Sequence, residues 1–338
     1  MAILVTGGAG YIGSHTVMEL LQSCNMPDSE VIVIDNLQKG HREAVVGGTF
    51  YEGDLRDEEI MRRIFTENDV EAVIHFAADS LVGESVQHPL KYYNNNLVSM
   101  LRLLETMNEY DCKKIVFSSS AAVYGAPENT PILESDTTNP TNPYGETKLA
   151  VENLLKWADA AYDIKYISLR YFNAAGAHTS GAIGEDHSPE THLIPLVLGV
   201  AQGRRDCISI FGDDYPTKDG TCVRDYIHVT DLAFAHIAAL GKLRQSAAVS
   251  GAFNLGSGTG FSVREVIEVC RQVTGHKIPH MISARREGDP PTLVASNDKA
   301  MRELGFVMKY NSLESIVESA WNFHTKYPNG FKDTEVIV

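Results

Sequence analysis

Cysteine is scarce in this sequence: five residues in 338, at positions 24, 112, 207, 222 and 270, odd in number and without a CxxC spacing. That excludes a disulfide framework and a cysteine-based zinc site, and it points to a reducing cytoplasm. Basic residues are also short, with 29 Lys and Arg against 44 Asp and Glu, for a formal net charge of -15. Such a field repels nucleic-acid phosphates and anionic membranes, so neither is expected as a partner, and a phosphate ligand must meet local cations. No apolar run reaches membrane-spanning length. The strand-like Ala2-Ile3-Leu4-Val5 leaves no place for a signal peptide, so an unprocessed, soluble chain is expected. Internal repeats and low-complexity tracts are missing too.

With 43% hydrophobic and 22% charged residues, the composition is that of a globular protein with a sizeable core and one or two domains. Short β-branched runs at 3–5, 31–34, 49–51, 72–76, 115–117 and 166–169 alternate with helical periodicity at about 12–22, 57–67, 91–109 and 145–160. This repeating βαβ pattern predicts an α/β fold, a doubly wound parallel sheet of Rossmann type, with a smaller C-terminal α/β substrate lobe. Residues 1–173 form the expected first domain and 174–338 the second lobe, where loops rich in Gly, Pro and Asp take over. The segment at about 223–245, which includes an alanine-rich helix at 231–242, is expected to return to the first domain.

Gly7, Gly10 and Gly13 follow the first strand and open the first helix. Glycines there permit a tight turn and close backbone approach, and free helix amides attract a pyrophosphate. Asp35, at the end of the second strand, stands where a carboxylate accepts from adenosine ribose hydroxyls and repels a 2′-phosphate, which favours NAD over NADP. Gly53-Asp54-Leu55 after the third strand is a candidate for the adenine edge.

Tyr144 and Lys148 stand four residues apart and share one helix face. Ser118-Ser119-Ser120 ends the fifth strand, at the edge of the sheet where ligands bind. A tyrosine near pKa 10 is a poor base at neutral pH, but a neighbouring cation such as Lys148 favours the phenolate. Ser120 then orients or relays the substrate proton toward Tyr144.

Thr6-Gly7-Gly8-Ala9-Gly10-Tyr11-Ile12-Gly13, the run from Ser118 to Gly125, Tyr144-x-x-x-Lys148 and Arg170-Tyr171-Phe172-Asn173 resemble the extended short-chain dehydrogenases. Val82-Gly83-Glu84-Ser85, Gly184-Glu185-Asp186, Asp219-Gly220-Thr221, Arg224 to His228 and Arg285-Arg286-Glu287-Gly288-Asp289 are similar to UDP-glucose 4-epimerases, over nearly the whole chain. The resemblance implies a bound NAD that takes a hydride from carbon 4 of a UDP-hexose while Tyr144 takes the hydroxyl proton, and a 4-keto sugar that turns over before hydride returns. UDP-galactose and UDP-glucose are the implied substrates. A homodimer paired through the helices at 91–109 and 145–160 is the implied assembly.

The family's NAD positions fall on Gly7, Gly10, Tyr11, Ile12, Gly13, Asp35, Asn36, Asp54, Leu55, Phe76, Ala77, Ala78, Ser80, Asn95, Ser118, Ser120, Tyr144, Lys148 and Phe172. Its UDP-sugar positions fall on Ser120, Tyr144, Asn173, His192, Leu193, Ile210, Phe211, Arg224, Arg286, Asp289 and Leu293. The arginines also make independent sense, since guanidinium forks suit a diphosphate. Ser80 stands where some epimerases carry lysine, and His192 where some carry asparagine. Leu293 aligns with a pocket residue whose size governs access of N-acetylated sugars.

Three other readings compete. A 4,6-dehydratase needs an acid and a base directly after the catalytic-strand serine, where this chain has Ala121 and Ala122. Epimerisation of UDP-glucuronate or of UDP-N-acetylhexosamines needs only a modest change of pocket. A non-catalytic NAD-binding regulator would have no use for Ser120, Tyr144 and Lys148 together. His75, His187 and His228 lack metal-ligand spacing and are read as structural, so no metal is assigned.

Overall fold

The computed structural model describes residues 1–127, 129–245, 249–286 and 288–333. Glu287 of the Arg285 to Asp289 motif and the end of the expected second lobe, 334–338, lie outside the described residues.

Six strands carry the first half of the chain: β1 (Ala2–Thr6), β2 (Val31–Asp35), β3 (Thr49–Glu52), β4 (Val70–His75), β5 (Lys114–Ser118) and β6 (Lys165–Tyr171). A seventh, Gly251–Leu255, joins beside β6, and the sheet runs β3-β2-β1-β4-β5-β6 and then that strand, with every pair parallel. The runs are apolar without alternation because both faces are covered. Leu4, Ile32, Val73 and Ile115 pack on one side with Met61, Met100, Leu103 and Leu155 from helices. Ile3, Val5, Val33 and Ile74 pack on the other with Val17 and Leu20. This is the expected doubly wound fold.

The alanine-rich segment forms helix Val229–Leu243, whose Leu232, Ala235, Ala239 and Leu240 join the second of these cores. It lies against helix Tyr11–Gln22, and its small side chains allow the close approach. The region after Ala175 builds its own core, in which helices Leu193–Ala201, Val263–Thr274 and Leu313–Lys326 pack around the parallel pair Ile208–Phe211 and His280–Ser283.

The helical stretch predicted at 91–109 is broken: Pro89–Tyr92 is α-helical, Tyr93–Val98 takes the wider π-turn, and Ser99–Glu109 is α-helical again. Side-chain bonds hold the wide turn in place. Asn96 accepts from Asp79 N at 2.8 Å and donates to Asp79 O and Thr147 Oγ1, each at 3.0 Å. A π-bulge of this kind commonly marks a functional segment.

Two histidines buried against the sheet carry a pH prediction. Burial, with a smaller contribution from nearby Lys148, pushes His75 down to about 3; for His236, pushed to about 4, the hydrogen bond that its Nδ1 donates to the Leu232 carbonyl opposes these two effects. The unfolded chain, titrating near 6.5, binds more protons than the folded one, so stability is complete above pH 6.5 and is lost as pH falls toward 4 and 3. His75 shares a 2.8 Å hydrogen bond with Thr6 Oγ1 through Nδ1, where an asparagine carboxamide can substitute. His75→Asn is expected to flatten the acid limb of unfolding free energy by about 1.4 kcal/mol per pH unit between pH 6 and 4. Urea melts across that range check it, and an unchanged slope refutes it.

Candidate active site

The sheet reverses its winding between β1 and β4, and the chain leaves both strands at the same end, where open parallel sheets bind ligands. Gly7 has φ +70°, and a Cβ there would sit 2.6 Å from Ala77 N on the β4 exit; at Gly13 it would meet Gly7 O at 2.2 Å. Larger residues would close this cradle. The helix that follows, Tyr11–Gln22, starts at Gly10 with no side-chain cap and no acidic residue in its first turn. Its free amides and positive end are therefore available to an anion.

Asp35 Oδ2 accepts from Ala9 N at 3.0 Å and Oδ1 from Leu37 N at 2.9 Å, which ties the carboxylate to the glycine turn. Burial nonetheless raises its pKa. Asn36 donates to Asp54 Oδ2 at 3.1 Å, and Asp54 is clasped by Arg56 at 2.8 and 2.6 Å, which holds its carboxyl down at about 2. Ile12, Phe76, Ala77 and Ala78 are half-buried, with the Phe76–Ala77 backbone beside Gly7, while Ser80 is exposed and Asn95 donates to Asp79 Oδ2 at 3.1 Å. Leu55 differs, because its side chain is buried in the core.

Helix Pro143–Tyr162 begins with Pro143 at its first position and Asn142 as a cap that accepts from Gly145 N at 2.9 Å. This start fixes Tyr144 and Lys148 against the end of β5. Lys148 Nζ donates to Ser118 O at 2.8 Å and lies 5.8 Å from the centre of the Tyr144 ring. Ser118 Oγ meets Tyr171 OH at 2.8 Å, and Ser120 Oγ accepts from Ala122 N at 3.1 Å. Burial pushes the Tyr144 phenol up, against a hydrogen bond with Ser120 that lowers it, and burial brings Lys148 down to about 7, against the charge of Glu152. An ammonium beside a phenolate offsets the cost each carries alone. The structure thus brings Ser120, Tyr144 and Lys148 together.

Across the crevice, Asn173 Nδ2 donates to Asp225 O at 2.8 Å, and Phe172 packs near Leu293. Leu293 pairs in register with Arg224, whose Nη2 donates to Asp289 Oδ1 at 2.6 Å. The Arg286 guanidinium lies 4.0 Å over the Phe211 ring. Strand alternation turns Phe211 outward and Ile210 inward, so the Ile210 side chain lies in the core of the second lobe. His192 precedes helix Leu193–Ala201 without a side-chain cap bond, and Leu193 is half-buried.

His75 and His228 are bonded within the fold, His228 to Ser319 Oγ at 3.0 Å and to Thr230 N at 3.1 Å. Sequence reasoning missed the buried partners Asp79, Asn96, Glu152 and Asp225. Two left a trace: Glu152 as a carboxylate one helical turn beyond Lys148, and Asp225 within the run Arg224 to His228.

The sequence pattern described as the NAD dependent epimerase/dehydratase family matches residues 3–256. A UDP-glucose 4-epimerase of Halalkalibacterium halodurans is 60% identical over 331 residues, covering 98% of each chain. A crystal structure of a UDP-glucose 4-epimerase superposes with a TM-score of 0.95 at 53% identity, over 98% of this chain and 99% of that one. The Bifidobacterium longum UDP-glucose 4-epimerase, solved in complex with NAD+ and UDP, superposes with a TM-score of 0.91 at 43% identity, over 98% and 100%. This chain therefore belongs to the NAD dependent epimerase/dehydratase family.

Proposed function

We propose that this protein interconverts UDP-galactose and UDP-glucose by inverting carbon 4 through a transient 4-keto sugar. The convergence of Ser120, Tyr144 and Lys148 on one crevice with the open glycine cradle carries this reading. The fit of NAD rests on that cradle, on the uncapped helix and on Asp35. When bound, NAD supplies the acceptor and donor of hydride. Tyr144 takes the proton of the sugar 4-hydroxyl, Ser120 holds that oxygen in line, and Lys148 keeps the phenolate stable. Arg224 and Arg286 supply the cations a diphosphate needs in a chain of net charge -15.

Residues 1–173, with about 223–245, form the dinucleotide-binding domain in this reading, and the remainder of 174–338 holds the UDP-sugar. Leu90, Tyr93, Leu101 and Trp157 stand exposed on the helices at 89–109 and 143–162, which supports a homodimer paired through them. Five free cysteines support a cytoplasmic location. Among the described residues no helix is long and apolar enough to cross a membrane.

Incubation of the purified protein with UDP-galactose, without added cofactor, is expected to yield UDP-glucose at equilibrium by proton NMR. UDP-N-acetylgalactosamine in parallel measures the room beside Leu293. If UDP-galactose is unchanged even after NAD is supplied, the reading fails and UDP-glucuronate is the next substrate to try.

A further inference from the structure

The loop between the two halves of the crevice gathers four metal-ligating side chains with no part in the proton and hydride chemistry: Glu185, His187, Glu190 and His192, spaced Glu-x-His-x-x-Glu-x-His. One donor atom from each lies within 4.8 Å of the other three. His187 Nδ1 stands 3.2 Å from Glu185 Oε1 and 3.7 Å from Glu190 Oε2. His192 Nδ1 stands 2.7 Å from Glu185 Oε1 and 3.2 Å from Glu190 Oε1. A tetrahedral ion with bonds of about 2.0–2.1 Å separates its ligand atoms by about 3.3 Å, the middle of this range.

Bond direction separates a metal site from a set of ion pairs. Glu185 is buried, and both its Oε1 and His187 Nδ1 are sequestered from water without a hydrogen-bond partner, although they lie within ion-pair distance of each other. Groups paired for their own sake turn donor toward lone pair. Ligands around an ion aim at a common centre and meet one another off-line, as Glu185 Oε1 and His187 Nδ1 do, while His192 Nδ1 shares a hydrogen bond with Glu190 Oε1 at 3.2 Å. Glu190 is held ready by main-chain amides, since its Oε1 accepts from Thr191 N at 2.6 Å and His192 N at 2.7 Å.

We propose that Glu185, His187, Glu190 and His192 bind one divalent cation of the zinc class. Two imidazole nitrogens and two carboxylate oxygens suit such an ion better than Mg2+, which prefers six oxygens. The buried Glu185 carboxylate, the partly exposed Glu190 carboxylate and two imidazoles in their neutral form carry a charge of -2, which a single divalent ion cancels. The sequence reading assigned no metal because these ligands come from an irregular loop rather than a helix. The ion ties that loop to the glycine turn: His187 meets the Tyr11 ring edge-on at 6.0 Å, and Tyr11 OH donates to Gly176 O at 2.6 Å.

The test is calorimetric titration of the full-length protein, stripped with a chelator, using zinc chloride and then magnesium chloride. One zinc per chain with micromolar or tighter affinity is expected, with a rise in melting temperature and no binding of magnesium in the same range. His187→Gln and Glu190→Gln, whose side chains are partly exposed and so tolerate change, are expected to weaken zinc binding at least 100-fold with metal-free circular dichroism unaltered. His276→Gln and Cys24→Ser, at exposed positions elsewhere, are expected to leave it unchanged. Lack of saturable zinc binding, binding that survives in both loop variants, or equal affinity for magnesium each overturns the proposal, leaving the cluster as ion pairs filled by protons.

Discussion

Tyr144→Phe is expected to lower kcat for conversion of UDP-galactose by about 1,000-fold or more while leaving the fold and the melting temperature near those of the parent protein. The change deletes one oxygen. The phenyl ring keeps its buried place at the start of helix Pro143–Tyr162, the Asn142 cap remains, and Lys148 retains its bond to Ser118 O. Ser120 loses one partner but still accepts from Ala122 N. In the proposed function Arg224 and Arg286 hold the UDP moiety, so KM is expected to move only a few-fold. A loss confined to kcat marks the phenol as the group that moves the proton. Turnover within ten-fold of the parent would make Tyr144 a packing residue and shift the base to another group. The same variant separates an enzyme from a regulator, since a protein that only senses NAD is indifferent to the phenolic oxygen.

How far such positions could be read beforehand depended on whether the signal was local. The sheet was legible because β1, β2 and β4 are buried on both faces and spell continuous apolar runs. The glycine turn, Asp35 and the Tyr144–Lys148 spacing were legible for the same reason, as each is a short motif anchored to a strand or helix end. Long-range pairings left no such mark. The strand Gly251–Leu255 has a sequence that reads equally well as a loop, and only its register against Ile167 to Tyr171 makes it the seventh strand. The π-turn at Tyr93–Val98 depends on Asn96 meeting Asp79 and Thr147, contacts 17 and 51 residues distant in sequence. Leu55 and Ile210 illustrate a second limit: matching a motif gives a position but not whether its side chain points away into a core.

Glu152→Gln is expected to destabilise the protein by about 3–5 kcal/mol, because it leaves a buried guanidinium without its counter-charge. Glu152 and Arg170 are both buried; Arg170 Nε donates to Oε1 at 2.9 Å and Nη2 donates to Oε2, closing a two-point pair. Ser119 Oγ donates to the same carboxylate at 2.5 Å, Arg170 Nη1 donates to Tyr124 OH at 2.8 Å, and Tyr124 OH donates to Asn254 Oδ1 at 2.7 Å. The network therefore clamps the Ser118 to Ser120 turn, β6 and the seventh strand to the helix that carries Tyr144 and Lys148. It also acts on charge. Burial brings Lys148 down to about 7, and Glu152 is the group that opposes the shift. Without that carboxylate Lys148 gives up its proton at lower pH, so the alkaline limb of the pH–rate profile is expected to move toward acid. Replacing both partners, Glu152→Met with Arg170→Met, removes the orphaned charge and is expected to recover most of the lost stability while leaving the alkaline limb displaced. Urea melts and pH–rate profiles of the single and double variants separate the two roles. If the double variant restores the limb along with stability, Glu152 acts only by holding the fold; if the limb stays displaced in a protein as stable as the parent, its charge sets the protonation of Lys148.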